Sequence, residues 1–138
     1  MNLVLGKSFD ENSPLFIQIK NRIEAQIMKG ILKEDKQIPS TTQIVQFYKI
    51  NHITVSKGIN LLVDEGIIYK KRGVGMFVSK GARVKLKSRR KSAFIKNFIE
   101  PLINETQNLD IKNDELIEII EELLFTTNIN PSNQTQKL

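Results

Sequence analysis

The sequence predicts a mainly α-helical chain carrying one small β-hairpin, and three observations lead there. Apolar residues recur three and four apart in several stretches, the spacing of one face of a helix. One stretch, "IIYKKRGVGMFVSKG", abandons that period for two short extended runs around a glycine-containing turn. Between the first helix and that hairpin, "IPSTTQIVQFYKINHITVSKGINLLVDEG" holds two helical patterns separated only by Lys49–Ile50–Asn51.

The first helix is read in "SPLFIQIKNRIEAQIMKG". Ser13 is its expected cap, and Pro14 suits the first helical position, where the missing N–H would have had no partner. Leu15, Ile19, Ile23 and Ile27 form one stripe that Phe16 widens, and Gly30 closes the helix. Pro39 disfavours helix before it, so Gln37 and Ile38 are expected to be extended. Ser40 then caps a short second helix, with Gln43 placed to bond back to the Ser40 amide as a capping box. Ile44, Val45, Phe47 and Tyr48 are its apolar side. Asn51 can cap the third helix, where Val55, Ile59, Leu62 and Val63 point inward and Gly66 ends the run. A short helix, a tight turn and a second helix with a polar front is the helix-turn-helix pattern.

Ile67–Lys71 then reads as a strand, Arg72–Gly75 as a turn and Met76–Ser79 as the returning strand, with Lys70, Lys71 and Arg72 at the tip. A helix-turn-helix followed by a basic hairpin is a winged helix. "ARVKLKSRRKS" follows as a charge-rich connector bearing Arg83, Lys85, Lys87, Arg89, Arg90 and Lys91. In the next helix Phe94, Ile95, Phe98, Ile99, Leu102 and Ile103 make a wide apolar stripe, and Pro101 is expected to kink it. A last helix, "NDELIEIIEELLF", has Asn113 as a candidate cap and Asp114 and Glu115 in its first turn, where carboxylates suit the positive helix end. The organisation expected is a winged helix-turn-helix domain over residues 1–81, a basic connector and helical dimerisation segment over 82–125, and a polar, disordered tail over 126–138.

Composition narrows the function. The 138 residues carry 21 Lys and Arg against 15 Asp and Glu, a formal net charge of +6 that suits a polyanionic partner. There is no cysteine and one histidine, so thiol chemistry, disulfides and cysteine-based metal sites are excluded, and no catalytic constellation or cofactor fingerprint stands out. "GVG" in the hairpin lacks the strand-then-helix setting of a nucleotide loop. The triplets at Asn104 and Asn133 match a glycosylation pattern that arises by chance. No apolar run approaches about 20 residues and no signal peptide opens the chain, so a cytoplasmic location with no membrane partner is expected.

Between Pro14 and Val78 the pieces "PLF.QI", "IPS", "TV", "LL..EGII" and "RGVGMFV" occur in order and at the spacing of the N-terminal domain of the GntR family of bacterial transcription regulators, which the chain resembles. The short helical remainder, ending in "LDIKNDELIEIIEELL", is similar to the YtrA-type subfamily, whose C-terminal helices dimerise. The resemblance implies a repressor that binds double-stranded operator DNA as a homodimer and controls a neighbouring transporter operon. It places Ser40, Thr41 and Thr42 near phosphates and bases, Asn51, His52, Thr54 and Ser56 in the major groove, and Arg72 and Gly73 at the minor groove. Lys57 and Lys71 add phosphate contacts by charge. Arginine is usual in the family where Thr42 and His52 stand; its fork and permanent charge are missing here.

Blander roles remain open beside these. Ser40, Gln43 and Asn51 also serve as caps, His52 also suits a solvated surface, and the run from Arg83 to Lys91 also suits a solvated linker. Phe94, Phe98, Ile99, Leu102, Ile103, Ile117, Ile120 and Leu124 would leave a large apolar patch on a monomer, and a twofold partner buries it. The alternative function is a winged-helix protein-interaction module or a weakly specific DNA binder. Neither the operator nor an effector is legible.

Overall fold

The computed structural model describes residue 9 and residues 11–128. The polar tail from residue 129 onward, with the Asn133 triplet, lies outside the described residues. Helix α1 spans Leu15–Met28, strand β1 Gln37–Ile38, α2 Thr41–Tyr48, α3 His52–Asp64, β2 Ile68–Lys71, β3 Gly75–Val78, α4 Ala82–Phe94, α5 Glu100–Asn108 and α6 Asn113–Asn128. The chain forms two compact units, one up to Lys91 and one from Ser92.

In the first unit the apolar stripes meet largely as their spacing predicts, although Phe47, read on the apolar side of α2, is exposed. Ile19, Ile23 and Ile27 of α1, Ile44 of α2, and Val55, Ile59 and Leu62 of α3 are buried in one core with Ile67, Ile68 and Val78. Leu15, read as part of the α1 stripe, is exposed instead, at the helix's first position. The start of α1 also differs from expectation. Pro14 is the cap residue rather than the first helical one, and Ser13 makes no side-chain cap. The Pro14 carbonyl accepts from the amides of Ile17 and Gln18, while the Gln18 side chain donates to the Ser13 carbonyl at 2.7 Å.

The hairpin gains a third strand. β2 and β3 pair antiparallel with Lys71 opposite Gly75, and β1 pairs with the other edge of β3, Gln37 opposite Phe77 and Ile38 opposite Met76. The extended conformation before Pro39 is thus an edge strand, and Ile38 buries itself beneath the wing.

The basic connector is a helix. Ala82 and Leu86 of α4 are buried in the first unit's core. Three of the basic side chains read as solvated turn back onto that unit. Arg83 Nε donates to the Met28 carbonyl at 2.9 Å, Lys85 Nζ donates to the Glu65 carbonyl, and Arg89 Nη1 lies 3.1 Å from Glu65 and 3.4 Å from Glu24. Lys20 joins the same two carboxylates, 3.2 Å from Glu24 and 3.4 Å from Glu65. The run between Arg83 and Arg89 docks because an apolar residue at every fourth position, Ala82 and Leu86, brings its helix face down onto the core.

In the second unit Pro101 does not end the helix. Ile95–Ile99 forms a π-turn, and α5 begins beside it with Pro101 in its first turn, where the absent N–H leaves no broken bond. Asp110, with φ 55°, turns the chain after α5. Asn113 lies inside α6 rather than capping it: the Leu116 amide donates to the Lys112 carbonyl. The helix runs on to Asn128, three residues past the expected end at Phe125. The side chains assigned to dimerisation are exposed within this unit, apart from the half-buried Ile99, and the Phe94 and Phe98 rings lie 5.9 Å apart.

Candidate nucleic-acid interface

Three local structures present the candidate residues, all in the first unit. The first is the start of α2. Ser40 Oγ accepts from the Gln43 amide at 3.1 Å, and Gln43 Oε1 accepts from the Ser40 amide at 2.8 Å. The predicted capping box is therefore complete. It satisfies two helix-end groups while leaving the Ser40 hydroxyl proton available to another acceptor. Thr41 is half-buried and Thr42 exposed.

The turn into α3 rests on Lys49, a non-glycine residue at φ 55°. Its left-handed conformation ends α2 and reverses the chain in three residues. Asn51 then caps α3, its Oδ1 accepting from the Ile53 amide at 2.7 Å. His52 is exposed, with Nδ1 3.4 Å from Ser56 Oγ one turn later, which leaves Nε2 as its second polar ring atom. Thr54 and Ser56 are half-buried. Lys57 is exposed, yet its ammonium lies 4.1 Å from the Phe16 ring centroid, a cation–π contact within this chain. Ile53, in the first turn of α3, is 76% exposed.

The third structure is the wing tip. Lys71, Arg72, Gly73 and Val74 are exposed, and Gly73 takes φ 76°, a conformation that favours glycine. Gln37 of β1 holds the tip: its Nε2 donates to the Val74 carbonyl at 3.1 Å, and a Cβ on Gly75 would run into the same amide group. Lys70 Nζ donates to Asn60 Oδ1 of α3 at 3.0 Å, joining wing and helix. Neither Gln37 nor Lys70's bond to Asn60 was visible in the periodicity, because both depend on contacts between distant segments.

These pieces converge. Ser40, Thr41 and Thr42 share one depression with Lys70–Met76, so that the α2 start and the wing tip face a common space. His52, Ile53, Ser56 and Lys57 line a second depression on α3 with Asn60, Leu61 and Asp64. No acidic residue stands in the first turn of α2 or of α3, so the positive ends of both helices are uncompensated by carboxylates there. Such a surface suits phosphate and base edges. Among the described residues no group of His, Asp and Glu is arranged to hold a metal ion, and no helix is long and apolar enough to cross a membrane.

Known proteins share this architecture. The pattern of the gntR family of bacterial regulatory proteins matches residues 16–78. The HTH-type transcriptional repressor YtrA of Bacillus subtilis is 30% identical over 81% of this chain and 85% of its own length. The HTH-type transcriptional repressor NagR of Bacillus subtilis is 36% identical over 49% of this chain, a match that spans only 28% of NagR. A transcriptional regulator of the GntR family from Bacteroides thetaiotaomicron, solved by crystallography, superposes with a TM-score of 0.69 at 31% identity, covering 83% of this chain and 99% of that one. With the similarity to YtrA and to the Bacteroides regulator running through the C-terminal helices as well as the winged domain, the chain belongs to the gntR family of transcriptional regulators, among its short YtrA-type members.

Proposed function

We propose that this regulator is a cytoplasmic, dimeric repressor that binds a near-palindromic double-stranded DNA operator. In this reading α3 enters the major groove with Asn51, His52, Thr54 and Ser56 toward the bases. Ser40, Thr41, Thr42, Lys71, Arg72 and Gly73 meet the flanking backbone and the minor groove. The observation that carries the reading is the shared depression of the α2 start and the basic wing tip beside an α3 front without acidic residues in its first turn. Lys57 contributes less than its charge suggests, being held over Phe16.

Dimerisation is assigned to the second unit. Phe94, Phe98, Leu102, Ile103, Ile117, Ile120 and Leu124 are large, exposed and apolar, and Ile99 extends the same stretch. Joining two copies there removes that surface from water, and a dimer carries two α3 helices for a two-half operator. Control of a transporter operon is part of this proposal and is suggested by the resemblance to YtrA-type regulators alone.

The test is fluorescence anisotropy with promoter DNA from upstream of the protein's own gene against scrambled DNA across a salt series. Tight binding to the promoter alone supports sequence reading. Equal, steeply salt-dependent binding to both supports a phosphate-driven binder. No binding to either at low salt favours a winged helix kept for protein contacts.

A further inference from the structure

We infer that Ile53 reads thymine through its C5-methyl group. The inference rests on the DNA-binding reading above and adds to it an apolar base contact beside the polar ones. Ile53 is 76% exposed, the largest exposure among the large apolar side chains of the described residues. It occupies the second position of α3, in the turn that Asn51 caps. The same helix buries Val55, Ile59 and Leu62, so Ile53 lies off the stripe that the core uses.

Among the described residues no core packing accounts for an isoleucine there, since Ile53 is neither in the buried cluster nor among the side chains packed against it. A β-branched side chain is a poorer helix former than the straight-chain polar residues that could occupy an exposed site. Its neighbours are His52 before it, and Ser56 and Lys57 one turn on, which line the same depression. An apolar group set among donors and acceptors at the leading end of a recognition helix meets base edges when that helix enters the major groove. On those edges the four base pairs offer donors, acceptors and one apolar group, the thymine methyl. Isoleucine has no polar atom to answer the first two. It matches the third, and it penalises cytosine at that place by leaving the N4 amine without a partner.

The contact also bears on the missing arginines. Where Thr42 and His52 stand, the guanidinium forks that select guanine are absent. A methyl-reading isoleucine beside His52 shifts the preferred half-site toward A·T pairs.

The experiment uses the full chain. DNA selected by the wild-type protein from a random duplex pool supplies the probe. Each thymine of one half-site is then replaced singly by deoxyuridine, which differs only in lacking the methyl. Affinity of the wild type should fall about fourfold at one position, the scale of one buried methyl group. The Ile53→Ala protein should show no difference between thymine and deoxyuridine at that position while keeping the wild-type dependence on the other bases. Ile53→Val, which keeps a branched apolar tip, should retain part of the discrimination. Selection of a clear sequence with no deoxyuridine effect at any thymine overturns the Ile53 assignment and leaves the DNA-binding reading standing. The assignment is equally overturned if the deoxyuridine effect persists undiminished in Ile53→Ala. Failure to enrich any sequence overturns the Ile53 assignment together with sequence reading by α3.

Discussion

The main-chain carbonyl of Phe16 in α1 faces Gly58 of α3 so closely that a Cβ on Gly58 would stand 2.6 Å from the oxygen. Helix α3 is therefore seated backbone against backbone, with Ile19 as the next nearest neighbour. Helix propensity favours alanine over glycine by about 1 kcal/mol, so a Gly58→Ala change on an open helix would stabilise. Here the overlap with a carbonyl decides the sign, since α1 must move to admit the methyl. We expect Gly58→Ala to destabilise by about 1–3 kcal/mol. Urea unfolding measures it, and a raised midpoint would show that α1 yields without strain.

Ser40 offers a separation of capping from DNA contact. Its hydroxyl accepts from the Gln43 amide, a role that aspartate fills equally well. Ser40→Ala should lower stability by about 1 kcal/mol through loss of the cap. Ser40→Asp should hold stability near the wild-type value while placing a negative charge in the depression shared with Lys71 and Arg72. If that depression takes a phosphate, Ser40→Asp should bind DNA at least tenfold more weakly than wild type. Undiminished binding by a well-folded Ser40→Asp protein places the phosphate elsewhere.

Where the chain is cut decides what a truncation tests. Ala82 and Leu86 belong to the first unit's core, so a chain ending at Gly81 loses them and should be unstable, by at least the roughly 2–5 kcal/mol of a buried leucine. A chain ending at Lys91 keeps both, together with the Arg89 contacts to Glu24 and Glu65. We expect the longer truncation to unfold cooperatively near the wild-type midpoint and to sediment as a monomer, while the full chain sediments as a dimer. A truncation at Lys91 that still sediments as a dimer moves the interface into the winged domain.

The wing's share of binding can be read from salt. Each phosphate neutralised contributes a slope of about −0.9 to the dependence of log affinity on log salt. Lys71→Ala, acting once in each copy of a dimer, should flatten the slope by about 2 and weaken native and scrambled DNA alike. His52→Ala should instead weaken the native site far more than the scrambled one. Equal losses from His52→Ala on both sequences would remove His52 from the base readers.

Much of the fold follows from local signals. The period of Ile19, Ile23 and Ile27, the Ser40–Gln43 box, the Asn51 cap and the change of period at Ile67 each involve residues within one or two turns, where spacing alone carries the geometry. The helix at Arg83–Arg89 escaped because charge dominates its composition while only Ala82 and Leu86 report the buried face. Asn113 and Ser13 are caps by residue type alone, but α1 begins after Pro14, one residue past Ser13, and α6 begins at Asn113 itself, so neither stands at the capping position.

The sequence by itself determined the winged helix-turn-helix, its family likeness and the order of the polar front on α3, because those depend on the local hydrogen bonds and hydrophobic period that near neighbours set. Tertiary structure alone decided that Lys57 is drawn to Phe16, that Gln37 clasps the wing at Val74, and that Arg89 pairs with Glu24 and Glu65. Each of these joins residues far apart in the chain. A long polar side chain reaches whichever partner packing brings near, and that partner is set by the closure of the core, which no local pattern records.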